Sequence, residues 1–582
     1  MNDALLADVQ KHDLAVARSG LKIWIGSEPT FTNARSQQPC WISEASGGEK
    51  EAHAQALLAA IAPRLPGPVQ LLRVPGRLYP GETEPRFCYG ALFGRRGAAS
   101  GVIPSLQHLE SGELAPMPVL DESQAWLTVT PDPAVVEVNM APAPNLSRFA
   151  RWVFTVYAAA EEAGLSATRY RYNGDITDSG GGGQITLGGP SPERSPFFLR
   201  PQLLPSLVRY ANRHPSLSYL FAPACCGSAS QGPRADEGVR ERFDELPLAL
   251  DYLAARGDAA TPEELWGTLG PLLVDATGCA HRAELNIEKL WNPSFAGRGQ
   301  LGLVELRALR MPSRPERLIA LAALFRAIAA RLAKAPYYEP LADWGSQLHD
   351  AISLPWNLER DLEQVLNDLD AHGFGLGRRL RAELIERPEP ITVLTHHSAT
   401  LELQPAISFW PLLGDAAGQA AQGARWVDSS AQRVQVLVTA PRGTPLGEVG
   451  ANGCRVPLQP LTASAGQDRA LGSVVYRAFV PVSGLHPAIA ANDPWVLEWH
   501  RGGTCLRAEV HSWLPGGGLY DGLPRSPLEA HERRQQRVVL SSGTPTKLCT
   551  TIASGSLDLR YLNVDRSRTR PQLILDKKSV SG

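Results

Sequence analysis

The sequence predicts an α+β fold with a smaller β-sandwich-like module toward its C-terminal end. Two observations lead to this prediction. Runs rich in Ala and Leu, typical of helices, are interspersed with short strands through about the first 400 residues. After about residue 425, apolar and polar residues alternate in segments such as 433–438 and 473–479. Gly and Pro separate these segments, a pattern typical of half-buried strands.

Periodicity and proline positions predict the elements in chain order. Pro63 ends one helix, and Pro201 and Pro315 lie at the starts of two others, where the missing N–H is tolerated. The predicted helices cover 49–62, 147–163, 200–213, 315–335 and 358–371. The predicted strands cover 21–25, 126–130, 134–138, 301–306, 433–438, 473–479 and 557–562.

Composition excludes several classes of protein. The 582 residues include 57 Lys and Arg against 59 Asp and Glu, so no overall field attracts nucleic acid or an anionic membrane. The segment 1–10 lacks the basic and apolar regions of a signal peptide, and no apolar run is long enough to span a bilayer. We therefore expect a cytoplasmic protein without nucleic-acid or membrane partners. The 8 cysteines show neither zinc-binding nor disulfide-framework spacing.

Three strand-like segments carry charged and amide side chains two residues apart, so that each set shares one strand face. The sets are Glu137 with Asn139, then Glu284, Asn286 and Glu288 if that segment is extended, and Glu305 with Arg307. Charges beside apolar neighbours are costly unless they are paired or bind an ion. They therefore form buried salt bridges, or the carboxylates hold Mg²⁺ while the arginines hold phosphate.

Four consecutive glycines at 180–183 lead into a short strand that begins near Gln184. Such a run lets backbone N–H groups approach a nucleotide closely, but it is also typical of a flexible loop. No Gly-Lys-Ser or Gly-Lys-Thr follows, so the run is not a Walker motif.

These residues resemble a known bacterial family, the DUF2126 amidoligases, a domain of unknown function that often follows a transglutaminase-like domain. The resemblance extends from about His12 to about residue 525. The matching stretches, in order, are His12-Asp13, Gly20–Thr32, Tyr79–Glu82, Thr130–Pro133, Glu137–Asn139, His214–Phe221, Ser230–Glu237, His281–Glu284, Gly302–Ala308, Trp426–Ser430 and Leu485–Pro487.

The resemblance implies a glutamine-synthetase-like antiparallel sheet with flanking helices, whose inner face holds the site. It implies ATP and Mg²⁺ as cofactors and an amide-forming reaction through an acyl phosphate, on a peptide or amino-acid-like carboxylate and an amine. ATP-grasp or transglutaminase-like proteins are the expected pathway partners, and a homo-oligomer is expected by analogy. The corresponding domains are a catalytic domain at 1–400, the β-rich module at 401–525 and a polar tail at 526–582.

The resemblance also implies roles for individual residues, which are assigned from their positions in the chain. The metal ligands implied are Glu28, Glu137, Glu284 and Glu305. The catalytic residues implied are Glu305, Arg307, Arg234, Arg282 and His281. The cofactor-binding residues implied are Gly181, Gly182, Gly183, Gln184, Asn139 and Arg35. Arg234 and Arg282 are candidates for phosphate or substrate carboxylate. His281 equally fits a strand cap, and the alternative for Arg35, an exposed surface arginine, is favoured over a phosphate contact.

One position departs from the family pattern. Relatives read Gly-Gly-Gly-Asn-His where this chain has Gln184 after Gly183. A glutamine forms hydrogen bonds but cannot carry a proton near neutral pH, so substrate or amine handling is expected to differ.

Glu288 or Asp236 is the expected proton acceptor, and Lys289 is expected to pair with Glu288 or solvent. The alternatives are a phosphotransferase on the same fold and a non-enzymatic, partner-binding paralogue.

Overall fold

The computed structural model describes residues 2–33, 47–75, 87–94, 124–132, 135–228, 230–294, 299–415, 425–461, 466–479, 491–549 and 558–560. The chain forms two compact units. The first comprises Met1–Arg171, Asp175–Asp343 and Leu358–Glu386, and the second comprises Tyr172–Gly174, Trp344–Asn357 and Arg387–Gly582. The domain limits expected at residues 400 and 525 stay predictions, because compactness alone does not define an independently folding domain.

Helices and strands are mixed in the first unit. Its helices are α1 (Asp3–Ala17), α2 (Gly47–Ile61), α3 (Leu146–Glu162), α4 (Pro196–Leu199), α5 (Leu203–Arg213), α6 (Ser216–Tyr219), α7 (Arg240–Arg256), α8 (Pro262–Leu269), α9 (Glu288–Trp291), α10 (Pro315–Lys334), α11 (Pro355–Ala371) and α12 (Arg378–Leu384). Its strands are β1 (Trp24–Glu28), β2 (Thr30–Asn33), β3 (Val69–Pro75), β4 (Phe87–Gly94), β5 (Gln124–Asp132), β6 (Val135–Met140), β7 (Leu165–Ser166), β8 (Thr168–Tyr170), β9 (Ile176–Asp178), β10 (Gln184–Gly188), β11 (Cys225–Cys226), β12 (Leu285–Asn286) and β13 (Val304–Leu306).

The central helix of the first unit is α10, which packs against α3, α5 and α12. Pro315 occupies its first turn, and every residue from Arg317 to Leu332 is buried. A helix buried on all sides needs an apolar surface all round, which its Ala and Leu residues supply. Its buried Arg326 pairs with Asp13 at 2.6 Å. Asp13 also accepts the backbone N–H groups of Leu146 and Ser147 at the start of α3.

Two antiparallel sheets of the first unit share one extended segment. The strand order is β1-β10-β13-β12 in one sheet and β3-β4-β5-β6-β2-β7 in the other. The segment 24–33 changes partner at Pro29: Glu28 is opposite Gln184 of β10, whereas Thr30 is opposite Glu137 of β6. Proline has no N–H to donate to a ladder, and the carbonyl of Pro29 accepts the N–H of Val138 at 2.9 Å. The two sheets are therefore joined at this residue.

The second unit is dominated by strands. They are β14 (Thr392–His396), β15 (Ala399–Ala406), β16 (Ser408–Phe409), β17 (Leu412–Asp415), β18 (Arg425–Val427), β19 (Ala431–Pro441), β20 (Glu448–Ala451), β21 (Cys454–Arg455), β22 (Gln459–Pro460), β23 (Gln467–Arg477), β24 (Trp495–Arg501), β25 (Thr504–Val510), β26 (Val538–Gly543) and β27 (Asp558–Arg560). A π-helix (Leu348–Ile352) and helix α13 (Pro527–Gln536) complete its described elements.

Two sheets of the second unit enclose one apolar core. One has the order β14-β15-β19-β23-β22, with β27 also paired to β23, and the other has the order β21-β20-β24-β25-β26. Val436 and Val438 from the first sheet share a buried cluster with Trp495 and Trp499 from the second. This is the packing of a β-sandwich.

The predicted mixture of helices with antiparallel sheets is confirmed. Several predicted bounds differ from the structure, and the strand expected at 301–306 is limited to Val304–Leu306. The strand expected at 21–25 lies at Trp24–Glu28, where pairing with β10 holds it. The segment expected as a polar tail contains α13 and β26. None of the helices in the described part of the chain has the length and apolar composition needed to cross a membrane.

Candidate active site

The four-stranded sheet of the first unit has one polar face and one apolar face. Across its strands, Gly26 is opposite Thr186, and Thr186 and Asn286 are both opposite Glu305, while Glu28 is opposite Gln184. Residues opposite each other in an antiparallel pair point to the same side. We call this side the polar face. The other side contributes Ile25, Ile185, Leu187, Leu285, Val304 and Leu306 to the core.

Two buried carboxylates of the polar face meet at one ammonium group. Nζ of Lys289 lies 2.9 Å from Oε1 of Glu28 and 2.9 Å from Oε2 of Glu305. Lys289 belongs to the single-turn helix α9, which directly follows β12. The expectation that it pairs with Glu288 or solvent was wrong, because α9 turns the side chain back over the polar face.

Glu305 is ionised within this cluster. Its side chain is fully buried, and its other oxygen accepts from Nη1 of Arg307. Burial alone would raise the pKa of Glu305, but the charges of Lys289 and Arg307 outweigh burial and lower that pKa to about 2. Burial would likewise lower the pKa of Lys289, but Glu28 and Glu305 raise it. Both groups are therefore charged at neutral pH.

Arg307 retains an unused donor. It follows β13 directly, and its backbone N–H donates to the carbonyl of Glu284 at 2.9 Å. Its Nε is buried and has no hydrogen-bond partner among the described residues. Leaving a buried donor unpaired costs about 1–3 kcal/mol. A ligand that accepted a hydrogen bond from this N–H would remove that cost.

Glu137 brings a third carboxylate to the same cluster from the neighbouring sheet. It lies on β6 opposite Thr30, is buried, and accepts a 2.9 Å hydrogen bond from Nδ2 of Asn139. Burial and then the negative charge of Glu28 raise the pKa of Glu137 well above its usual value, which Lys289 opposes. The structure therefore brings the pair predicted from strand alternation close to Glu28 and Lys289.

The glycine run packs closely against protein atoms. A Cβ on Gly181 would lie 2.8 Å from Oγ1 of Thr30, and one on Gly182 would lie 2.5 Å from Nε2 of Gln184. The backbone N–H of Gly183 donates to the carbonyl of Leu309 at 3.2 Å. These contacts give the run a packing role beside the polar face. The nucleotide contact expected for it stays a prediction.

Gln184 lies inside the candidate site. It begins β10 opposite Glu28 and is buried. Its Oε1 has no hydrogen-bond partner among the described residues. A buried acceptor without a partner is suited to a ligand that donates hydrogen bonds.

Arg234 and Glu284 form a second cluster, which the backbone N–H of Arg307 connects to the end of β13. All five N–H groups of Arg234 are engaged: two donate to Asp236 at 2.9 Å, and the others donate to the carbonyls of Ala211 and Asn212 and to Ser218. The guanidinium is fully buried. It therefore has no donor left for phosphate or substrate.

Glu284 belongs to this second cluster. Oγ of Ser218 donates to its Oε2 at 2.5 Å, and Nη1 of Arg234 lies 3.9 Å from the same oxygen. Burial raises the pKa of Glu284 to about 6, although Arg234 lowers it. Both contacts are to protein groups, and the metal-binding role expected for Glu284 stays a prediction.

His281 and Glu288 form a partly exposed pair. Nδ1 of His281 lies 3.1 Å from Oε2 of Glu288, and the histidine side chain is 58% exposed. The extended geometry expected to align Glu284, Asn286 and Glu288 was wrong beyond Asn286, because the chain enters α9 at Glu288.

The remaining predicted residues are Arg282 and Arg35. Arg282 ends a short 3₁₀ helix (Ala280–Arg282) and is partly exposed. Arg35 lies outside the described residues.

The residues around Lys289 suit a hard divalent cation. Glu28, Glu137, Glu305 and Asn139 offer oxygen donors, the type that Mg²⁺ prefers. The ammonium of Lys289 lies between two of these carboxylates and already supplies positive charge there. Within the described residues, groups of three His, Cys, Asp or Glu side chains whose ligand atoms lie within 4.8 Å of one another occur elsewhere. The carboxylates around Lys289 do not form such a group. An ion here would need oxygens from a ligand or water to complete its shell.

The chain was compared with curated proteins and with solved structures. No curated protein matches the sequence. The solved structure titled "Apo GmaS without ligand" matches at 13% identity with a TM-score of 0.27, covering 65% of this chain and 71% of that one. The structure titled "GmaS/ADP complex-Conformation 1" matches at 12% identity with the same TM-score and coverage.

A family model matches residues 3–102 and 114–565, which is most of the chain. The chain therefore belongs to the family described as "Putative amidoligase enzyme (DUF2126)", a description of a ligase-type role.

Proposed function

We propose that the protein is an ATP- and Mg²⁺-dependent ligase that joins a carboxylate to an amine through an acyl phosphate. The observation that carries this proposal is the buried cluster of Glu28, Glu137 and Glu305 with Arg307 on the polar face of an antiparallel sheet. We also propose that these sheets follow the glutamine-synthetase-like arrangement. Family membership supports an amide product, and a peptide or amino-acid-like compound is the proposed source of the carboxylate.

Three carboxylates would hold the metal: Glu28, Glu137 and Glu305. Bound Mg²⁺ would offset negative charge on the ATP phosphates. Lys289 supplies charge compensation to Glu28 and Glu305 before ligands bind, because its ammonium lies 2.9 Å from both. Without that compensation, burying these carboxylates close together would be strongly unfavourable.

Arg307 would bind the phosphoryl group during transfer. In the proposed first step, a substrate carboxylate oxygen attacks the γ-phosphorus of ATP and the bond to ADP breaks. The unpartnered Nε–H of Arg307 can donate to a phosphoryl oxygen, while its bond to Glu305 fixes the orientation of the guanidinium. Preorganised donors of this kind contribute mainly by stabilising charge. Gln184, whose Oε1 is unpartnered, would accept a hydrogen bond from the substrate.

The pair of His281 and Glu288 would accept the proton of the amine. In the proposed second step, the amine nitrogen attacks the acyl carbon, phosphate leaves, and one proton must be removed from nitrogen. His281 is exposed to incoming substrate, and Glu288 lies 3.1 Å from its Nδ1, which would orient the ring with Nε2 as acceptor. Asp236 is a weaker candidate than this pair, because both of its oxygens bind Arg234.

Arg234 and Glu284 would support the site without contacting phosphate or metal. Arg234 has every donor engaged, and Glu284 bonds to Ser218 beside it. The carbonyl of Glu284 accepts from the backbone of Arg307. We therefore propose that this cluster positions the end of β13. Arg282 stays a candidate for binding the substrate carboxylate.

The test measures the amide product and the release of ADP in the same reaction. The full-length protein would be incubated with ATP, Mg²⁺ and pooled peptides and amines, and mass spectrometry would detect amide products. We expect ADP release with the wild type and a loss of at least about 100-fold in Glu305→Gln and Arg307→Lys, the scale seen when one charge-stabilising donor is removed. ADP release that is undiminished in both variants would overturn the assignment.

A matched control separates catalysis from stability. Asp428 pairs with the buried Arg477 at 3.0 Å in the second unit. Asp428→Asn also disrupts a buried ion pair, but it should leave the rate of ADP release unchanged. Circular dichroism would establish that each variant is folded.

The second candidate function is a non-enzymatic, partner-binding role. One observation favours it: Lys289 already neutralises two carboxylates that would otherwise attract a metal. Isothermal titration calorimetry with ATP and Mg²⁺ distinguishes the two candidates. Binding of the nucleotide supports the ligase, whereas no heat of binding under these conditions supports the non-enzymatic role.

A further inference from the structure

A second group of ligand-type side chains lies in the second unit, on the antiparallel hairpin of β24 and β25. Glu498 and His500 are two residues apart on β24 and therefore share one face. Cys505 on β25 is directly opposite His500. The intervening Trp499 points the other way, into the core of the sandwich. The three side chains thus lie together on the side of the sheet that faces away from the core.

These three side chains are nevertheless buried. Cys505 is 0% exposed, Glu498 is 6% exposed and His500 is 9% exposed. The strand face turned away from a core is normally exposed to solvent, so another segment of the chain must cover this face. Oγ1 of Thr546 lies 3.5 Å from Oε1 of Glu498. The covering residues belong to the segment 544–549, which follows β26.

The covering segment is fixed to the edge of the same sheet. The backbone N–H of Cys549 donates to the carbonyl of Gly453 at 2.8 Å, and the carbonyl of Cys549 accepts from Arg455 at 2.9 Å. Leu548 is buried, and its side chain lies 2.5 Å from where a Cβ on Gly450 would be. The segment therefore encloses Glu498, which is opposite Gly450 on the neighbouring strand.

The enclosed atoms have the spacing and chemistry of a metal site. One ligand atom from each of Glu498, His500 and Cys505 lies within 4.8 Å of the other two. Sγ of Cys505 is 3.9 Å from Oε1 of Glu498. Nε2 of His500 is buried and has no hydrogen-bond partner in the part of the chain that the structure describes. An enclosed imidazole nitrogen without a partner is costly, and a bound ion is one way to satisfy it.

The donor set selects the class of ion. Sulfur, imidazole nitrogen and carboxylate oxygen together are typical of Zn²⁺, whereas Mg²⁺ and Ca²⁺ take oxygen ligands. Arg507 donates to Oε1 of Glu498 at 2.9 Å and so orients the carboxylate, as partners of metal ligands commonly do. Binding would replace the thiol proton of Cys505 with the ion and release that proton.

We propose that Glu498, His500 and Cys505 form a binding site for Zn²⁺ that stabilises the hairpin beneath its covering segment. The site uses residues of the second unit alone and is independent of the proposed Mg²⁺ site. Sequence spacing did not reveal it, because the ligands come from adjacent strands without a Cys-x-x-Cys motif.

Cobalt substitution tests the proposal in the full-length protein. After removal of metals by chelation, Co²⁺ alone would be titrated while the sulfur-to-cobalt charge-transfer absorption is recorded. We expect saturation at one equivalent, reversal by Zn²⁺, and loss of the absorption in Cys505→Ser. His500→Gln should weaken Co²⁺ binding at least about 10-fold, the scale on which disturbance of a metal site lowers affinity.

The matched control is Cys549→Ser, which changes an exposed cysteine in the covering segment. We expect full cobalt absorption in this variant. Absence of the absorption from the wild type, its persistence in Cys505→Ser, or its loss in Cys549→Ser would each overturn the proposal. If Cys505→Ser does not fold, the wild type and His500→Gln still decide the outcome, because unchanged binding in His500→Gln also contradicts the site.

Discussion

The ammonium of Lys289 lies 2.9 Å from Oε2 of Glu305, although α9 and β13 are separate elements of the chain. The same nitrogen binds Glu28 at the same distance. A lysine therefore occupies the centre of the carboxylate cluster. Any cation that enters must share these oxygens with Lys289 or displace its side chain.

The first prediction concerns replacement of this lysine. Lys289→Met leaves Glu28 and Glu305 buried without their shared cation. We expect the free energy of unfolding to fall by about 3–5 kcal/mol in the absence of metal. Millimolar Mg²⁺ should restore more stability to the variant than it adds to the wild type, because the ion replaces the missing charge. Urea unfolding with and without MgCl₂ measures both effects.

Lys334→Met is the control for Lys289→Met, because Lys334 lies exposed at the end of α10. It should change stability by less than about 0.5 kcal/mol and show no added Mg²⁺ dependence. A Lys289→Met variant whose stability does not respond to Mg²⁺ would argue against a metal site among these carboxylates.

The second prediction concerns pH and Glu137. Burial and Glu28 raise the pKa of Glu137 well above its usual value, so the folded state keeps a proton that the unfolded state loses above about pH 4.5. The contribution of Glu137 to stability therefore falls as pH rises above that value. Glu137→Gln mimics the protonated form, and its stability advantage over the wild type should grow as pH rises above about 4.5, with a limiting slope of about 1.4 kcal/mol per pH unit.

Urea unfolding of both proteins between pH 5 and pH 8, without divalent ions, measures this advantage. Added Mg²⁺ should reduce it, because an ion stabilises the carboxylate of the wild type. Glu263→Gln, an exposed substitution on α8, should show no such trend. A constant difference between Glu137→Gln and wild type across this range would contradict the prediction.

The third prediction concerns acid stability and His12. This side chain is buried, and burial and then Arg326 lower its pKa to about 3. Below about pH 6.5 the unfolded state binds a proton that the folded state rejects, so stability falls as the solution is acidified. We expect a loss of about 2 kcal/mol between pH 7 and pH 5 from this group.

Replacing His12 with Phe removes this titrating group from the core. The slope of unfolding free energy against pH should be smaller in His12→Phe than in the wild type over the same range. His53→Phe is the control, because His53 is only half-buried on α2. Equal slopes for wild type and His12→Phe would show that other groups dominate acid unfolding.

The fourth prediction concerns Gly26 and Thr186 on the polar face. A Cβ on Gly26 would lie 2.2 Å from Oγ1 of Thr186 but 3.5 Å from its Cβ. We expect Gly26→Ala to destabilise the protein by about 1–3 kcal/mol through overpacking. Thr186→Ala removes the colliding hydroxyl, so the double variant should recover most of the loss. A double-mutant cycle by thermal unfolding measures this interaction, and additive effects would contradict it.

Part of the fold and site was predictable because the relevant contacts are local. The helix expected at 315–335 is α10, since its Ala and Leu content and Pro315 act within the helix itself. Strand alternation placed Glu305 and Arg307 on one face, and their side chains do meet. The same rule placed Glu137 beside Asn139.

Long-range contacts were not predictable in the same way. Lys289 donates to Glu28, which lies 261 positions earlier in the chain. Its side chain is oriented by the one-turn helix α9, which is too short to produce a recognisable periodicity in the sequence. Arg234 looked suited to phosphate, and only the folded chain reveals that Asp236, Ser218 and two backbone carbonyls use all its donors.

The helix α13 had a local signal that the expectation of a polar tail overlooked. Ser526 precedes Pro527 and caps the helix by accepting the N–H of Glu529. Serine before a proline at the first helical position, with Glu three residues after the serine, is a helix-start pattern.

The change of partner at Pro29 gives the candidate site a mechanical property. Glu28 and Thr30 lie on either side of one proline, yet they are hydrogen-bonded into different sheets. A ligand that bound both Glu28 and Glu137 would therefore link the two sheets through side chains as well as through the backbone at Pro29.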